Sequence, residues 1–106
     1  MPVKPAVSEK QFQAQILQLA RLSGWLTYHT HDSRRSQAGF PDLVLVRPPA
    51  VLFAELKSEG GGLRPEQRGW LRALEACPGV AVRLWMPGDW PEVEEVLARP
   101  RKRGAA

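Results

Sequence analysis

Asp42 and Glu55 are charged residues set inside two of the most apolar stretches of the chain, Pro41-Asp-Leu-Val-Leu-Val-Arg47 and Val51-Leu-Phe-Ala-Glu-Leu-Lys57. A carboxylate inside a buried strand is costly unless something positive compensates it. Pro48-Pro49-Ala50 separates the two runs, and their continuous apolar character predicts an antiparallel hairpin buried on much of both faces. If the hairpin turns symmetrically about Pro48-Pro49, Arg47 pairs with Ala50, and continuing that register sets Asp42 opposite Glu55. Directly opposed residues share a face, with Cβ atoms about 5 Å apart. Strand alternation then adds Lys57 to that face. A three-residue loop would instead shift the pairing by one and oppose Asp42 to Leu56, and only a bulge would restore the cluster.

Two carboxylates that close repel unless one is protonated or a cation bridges them. A hard divalent ion such as Mg²⁺ takes oxygen ligands and keeps several waters. A neighbouring lysine can orient or activate one of those waters and stabilise charge on a phosphate. Asp42, Glu55 and Lys57 are thus the parts needed for metal-assisted hydrolysis of a phosphodiester. The competing reading is a structural ion pair of the two acids with Lys57 or Arg47.

The elements that must position these residues follow from local signals. Residues 1–7, with two prolines, are expected to form a disordered arm. Ser8-Glu-Lys-Gln11 fits a capping box, and Phe12, Ile16, Leu19 and Ala20 follow at helical spacing up to a stop at Gly24. Trp25 to His31 reads as a strand carrying Trp25, Thr27, His29 and His31 on one face. After the hairpin, Ser58–Arg64 is a glycine-rich loop, and Pro65 opens a helix with Gln67, Trp70, Leu71 and Leu74 inward. Ala81–Met86 is a third apolar strand. An Asp89-x-x-Glu92 capping box starts a last helix that buries Val93, Val96 and Leu97 and stops before Pro100. The order is αβββαβα, an α/β domain with a mixed sheet over residues 8–98, followed by a basic, flexible tail over 99–106.

Composition bounds the rest. The 106 residues are 43% hydrophobic and 25% charged, which fits one globular domain and excludes general disorder. A single cysteine, Cys77, excludes an internal disulfide framework and leans towards a reducing compartment. It reads as a small buried residue. No apolar run approaches membrane-spanning length, so a soluble, intracellular, cytoplasmic protein with no membrane partner is expected. The net charge of +4 is shared unevenly: residues 1–88 carry +4, residues 89–98 carry −4, and the tail restores +4. A basic tail alone is weak evidence for nucleic acid.

Gly39-Phe-Pro-Asp42 followed by Glu55-Leu-Lys57 on the next strand resembles the signature of the PD-(D/E)xK nuclease superfamily. More closely, the chain resembles the virus-type replication-repair nuclease (VRR-NUC) family, small domains with a G-x-PD strand, an E-x-K strand and a following helix glutamine. Gln67 in Pro65-Glu-Gln-Arg-Gly-Trp-Leu71 matches that glutamine, and Glu9 matches an acid of the first helix. The resemblance covers residues 8–98 and implies a restriction-endonuclease-like fold. It also implies that Asp42, Glu55 and the main-chain carbonyl of Leu56 hold Mg²⁺, with Mn²⁺ as a substitute. Lys57 would position the attacking water, and Glu9 and Gln67 would support the metal and Lys57 or contact the scissile strand. Arg64, where many relatives carry a Ser or Thr cap, is expected to weaken the helix start. The implied substrate is DNA, including branched DNA and four-way junctions. Paired nicks on such a junction need a homodimer.

Ser33, Arg34, Arg35, Ser36 and Gln37, just before the Asp42 strand, suit phosphate contacts, and Arg64 and Arg68 could clamp the backbone from the other side. Arg83 and Trp85 share a strand face that could serve a subunit interface or stack on bases. His29 and His31 lack the further ligands of a zinc site; they border the nucleic-acid cleft or simply pack. Two other functions compete with the nuclease: a non-catalytic nucleic-acid-binding module of the same fold, and a restriction-type subunit. Loss of Asp42, Glu55 or Lys57 would mark the first, and extra recognition elements the second; the sequence has neither.

Overall fold

Ser8 caps the first helix as its sequence predicts. Its Oγ accepts the Gln11 N–H at 3.1 Å, and Gln11 Oε1 accepts the Ser8 N–H at 3.1 Å. The resulting helix α1, Glu9–Leu22, turns Phe12, Ile16, Leu17 and Ala20 inward and ends where Gly24 takes φ +87°. The computed structural model describes residues 7–31 and 35–100. Strands β1 (Leu26–His29), β2 (Leu43–Arg47) and β3 (Ala50–Leu56) follow, then α2 (Pro65–Glu75), β4 (Val80–Trp85), a 3-10 turn (Pro87–Asp89) and α3 (Trp90–Ala98). The sheet runs β1-β2-β3-β4, antiparallel across the first three strands and parallel between β3 and β4. This is the mixed, helix-flanked, restriction-endonuclease-like α/β architecture, in the order αβββαβα.

The two faces of the sheet are covered unequally. On one face Leu43, Leu45, Leu52, Ala54, Leu56 and Trp85 are sealed beneath the inward residues of α1 and beneath Val93 and Leu97 of α3. Each such large side chain contributes about 1.5–3 kcal/mol on burial. On the other face α2 covers the C-terminal end of β3, and Phe40 joins Phe53 and Trp70 by edge-on ring contacts at 6.1 and 5.2 Å. The remainder of that face is open: Val44, Val46 and Val51 are only half-buried, and Leu26 and Tyr28 are exposed. The hairpin is therefore buried on one face and half-covered on the other.

Several local expectations change. Trp25 leaves the first strand because its ring is buried and its Nε1 donates to the Leu97 carbonyl at 2.9 Å. Asp89 does not cap α3; its Oδ2 accepts the Met86 N–H and closes the 3-10 turn, while Glu92 accepts from Trp85 Nε1 at 2.6 Å. Trp85 is thus a core residue and not a platform for bases. Cys77 is exposed, in the turn after α2. Val7 packs against the core, and Arg99 is held by its carbonyl, which accepts from Arg47 Nη2 at 2.7 Å. The remainder of the expected arm and tail, residues 1–6 and 101–106, lies outside the described residues.

Arg47 ties the far corner of the fold together. Its guanidinium lies 4.6 Å from the Trp25 ring centroid. It also donates to the carbonyls of Ser23 and Leu97, at 2.9 and 3.3 Å, which end α1 and α3. Orphan carbonyls at helix ends are thereby satisfied by a cation, the favourable sign for a helix C-terminus.

Candidate active site

The hairpin takes the symmetric register: Arg47 pairs with Ala50 and Leu43 with Ala54. Pro48-Pro49 alone forms the turn, and the three-residue alternative is excluded. Continued by one residue, the register brings Asp42 and Glu55 together. Asp42 is fixed on both sides, since its carbonyl accepts the Thr30 N–H at 3.0 Å and its Oδ2 accepts the Leu56 N–H at 2.8 Å. Leu56 therefore holds Asp42 through its N–H, a contact that the family resemblance, which implies a role for its carbonyl, does not anticipate.

Glu55 is 2% exposed. Its Oε2 accepts from Gln67 Nε2 at 3.0 Å, and its Oε1 is buried with no hydrogen-bond partner. Gln67 is itself oriented, because its Oε1 accepts the Arg64 N–H at 2.8 Å. This bond replaces the missing hydroxyl cap of α2, so the helix start keeps one half of a capping box. Burial and then the negative charge of Asp42 raise the Glu55 pKa from 4.5 to about 8, against an opposing pull from Lys57. Positive charge brought beside such a carboxyl would favour its ionised form. The neighbouring Glu55 and Asp42 carboxyls offer oxygen donors, the kind a hard divalent ion takes.

The glycine of Gly39-Phe-Pro-Asp42 has a physical reason. It sits at φ +87°, and a Cβ there would lie 2.5 Å from the Glu66 carbonyl carbon. The loop that delivers Asp42 is thus pressed onto the first turn of the helix that delivers Gln67. Lys57, half-buried, leaves β3 with its N–H donated to the Trp85 carbonyl at 3.0 Å. Asp42, Glu55, Lys57 and Gln67 are therefore brought together.

Glu9 is placed differently. It lines a cavity of about 200 Å³ with Lys10, Gln13, Asp42 and Leu56. Among the described residues no three acidic, histidine or cysteine side chains converge as a metal cluster, so Glu9 borders Asp42 without completing a triad. Lys10 and Gln13 escaped the sequence reading; the signal was the four-residue spacing that sets Gln13 on the Glu9 face. His29 and His31 stack with ring centroids 4.2 Å apart on the neighbouring strand end. Of the expected phosphate contacts, Ser33 and Arg34 lie outside the described residues. Arg35 and Gln37 are exposed, and Ser36 is half-buried. Arg64 and Arg68 are exposed on the first turn of α2, where Arg68 Nη2 donates to the Leu63 carbonyl at 3.0 Å.

Fold and site together define a nuclease-type α/β domain. The family model of the VRR-NUC domain matches residues 3–85. The chain belongs to the VRR-NUC domain family. A solved structure described as a VRR-NUC domain superposes with a TM-score of 0.67 at 20% identity, covering 88% of this chain and 97% of that one. At that identity the likeness speaks for the fold alone. No curated protein matches the chain significantly. No helix among the described residues is long and apolar enough to cross a membrane.

Proposed function

We propose that this chain is a divalent-cation-dependent DNA endonuclease acting on branched DNA. The observation that carries this reading is the paired Asp42 and Glu55 with the unpartnered, buried Oε1 of Glu55, set beside Lys57. Asp42, Glu55 and the Leu56 carbonyl would hold Mg²⁺ or Mn²⁺, with Glu9 at the rim of the same cavity. Such an ion makes a bound water acidic enough to attack at neutral pH and offsets charge on the phosphate. Lys57 orients that water and its ammonium faces the charge developing on phosphorus oxygens. Gln67 fixes the plane of the Glu55 carboxyl. Arg35, Arg64 and Arg68, with Ser33, Arg34 and Ser36, hold the backbone without reading sequence.

A lone domain of this size has little area for base readout, which favours recognition of DNA shape over sequence. A homodimer is supported by the open sheet face, where Leu26 is 72% and Tyr28 57% exposed. The test is a panel of labelled linear, flap and four-way DNAs with Mg²⁺, Mn²⁺ or EDTA. Metal-dependent cutting of branched substrates that Glu55→Ala and Lys57→Ala abolish supports the reading. Salt-sensitive binding with no cutting of any substrate would replace it with a binding module.

A further inference from the structure

A second cavity, of about 280 Å³, opens at the opposite end of the sheet, between the hairpin turn, β4 and the last turn of α3. Its Ala50 wall is roughly 17 Å of strand from Glu55, while Arg83, which lines it from beside Ala54, lies on the opposite face of the sheet from Glu55. Three arginines, Arg47, Arg83 and Arg99, line it together with Trp25, Leu52 and Val96, and among the described residues no acidic side chain does. Arg83 stands on β4 beside Ala54 of β3, on the face otherwise given to the core. Its Nη1 donates to the carbonyl of its own neighbour, Val82, at 2.9 Å. The side chain is half-buried, and its Nε is buried with no partner among the described residues. Buried donors are nearly always satisfied, so this Nε calls for an acceptor.

The surroundings do not supply the missing acceptor. Arg47 donates to main-chain carbonyls and brings no carboxylate. Glu95 is turned to Arg99 at 3.2 Å in a pair whose side chains are 62% and 71% exposed, a contact worth little. The described lining is therefore positive, with Trp25, Leu52 and Val96 as its apolar part. Guanidinium forks match phosphate oxygens, and the wall suits the ring of an attached base. The volume falls just under the usual range for small-molecule pockets, roughly 300–1,000 Å³, which limits the occupant to about one nucleotide.

We propose that this cavity binds the phosphate ester of a single nucleotide, with Arg83 as its principal ligand, at a site separate from the Asp42–Glu55 centre. The nucleotide is either free or one residue of a bound strand. The test uses the full chain and titrates deoxyadenosine monophosphate, deoxyadenosine and inorganic phosphate by calorimetry, without divalent metal. The monophosphate is expected to bind and the nucleoside about tenfold more weakly or not at all. Arg83→Met should weaken the monophosphate by about tenfold or more, the effect of one charge-assisted hydrogen bond. If the nucleotide belongs to a bound strand, the monophosphate competes with DNA, and Arg83→Met lowers the salt dependence of DNA binding by about one phosphate. If it is free, DNA affinity is unchanged. Equal binding to the original chain and to Arg83→Met, or no binding at millimolar ligand, overturns the proposal. Should Arg83→Met fail to fold, Arg83→Lys, which keeps the charge and removes the Nε donor, must weaken the monophosphate several-fold. Unaltered affinity there overturns the proposal equally.

Discussion

On one face of the sheet the fold buries an acid whose Oε1 has no partner among the described residues, and on the other it half-buries a base whose Nε has none. Glu55 and Arg83 lie on adjacent strands and on opposite faces, Arg83 beside Ala54 and thus one residue from the level of Glu55. The protein could have joined such charges in an ion pair, as proteins usually do with buried charge. It keeps them apart instead, each with one edge bound and one edge open. The acid is held by Gln67 and repelled by Asp42; the base is held only by a neighbouring carbonyl. The difference is in preparation. Glu55 is oriented by a chain of hydrogen bonds that reaches the main chain of α2, whereas Arg83 leans on an apolar wall. An oriented acid suits chemistry, and a loosely held guanidinium suits binding.

Substitutions on the two faces should separate these roles. Lys57→Ala and Glu55→Ala are expected to lower the rate of phosphodiester cleavage by about 10²–10⁴ or more, read by single-turnover cutting of four-way DNA. Arg83→Met should leave that rate unchanged with saturating substrate. Gly39→Ala should destabilise the chain by roughly 2 kcal/mol or more in urea unfolding, because the added methyl meets backbone at a positive φ. That change also displaces Asp42 and should reduce cutting in the folded fraction.

The pH dependence of stability is a finer probe. Without divalent metal, native Glu55 keeps its proton from pH 4.5 to about 8, where the unfolded chain has lost it. The unfolded state then binds fewer protons, so this group makes stability fall as pH rises across that window, by at most about 1.4 kcal/mol per pH unit. Glu55→Gln should remove that slope in urea unfolding measured at several pH values. An unchanged slope would show that Glu55 is not the buried acid responsible. The smallest effect is expected on the other face: Arg83→Met should lie within about 0.5 kcal/mol of the original stability or above it, since it removes a buried Nε with no partner among the described residues and keeps the apolar stem. A large loss would mean that Arg83 is structural.

The catalytic end was more legible in the sequence than the cavity end, for a physical reason. A carboxylate within an apolar run is visible as an anomaly, and a hairpin leaves few choices for what stands opposite it. Spacing left two registers open, and the structure takes the symmetric one about Pro48-Pro49. Gln67 followed from the resemblance to the VRR-NUC family, although its link to Arg64 did not. Trp25 and Asp89 were misread because both make bonds to distant or non-helical partners that local pattern does not encode. Cys77 was misread because one residue in a turn has no periodicity to betray its exposure. The Arg47–Arg83–Arg99 cavity is assembled from three segments, and no spacing within any of them announces it.

The two hydrogen bonds of the Gln67 amide also decide where a proton sits. Arg64 N–H occupies the Gln67 oxygen, so the amide offers Glu55 only its NH₂ group and Oε2 must remain an acceptor. When Glu55 is neutral its hydrogen is therefore on Oε1, the same oxygen that a cation would take. Loading the site becomes an exchange of one particle for another. Below pH 8 divalent-ion binding should release up to one proton from this group and tighten by about tenfold per pH unit. Calorimetry in buffers of different ionisation enthalpy would count that proton directly, and Gln67→Leu should leave it on either oxygen.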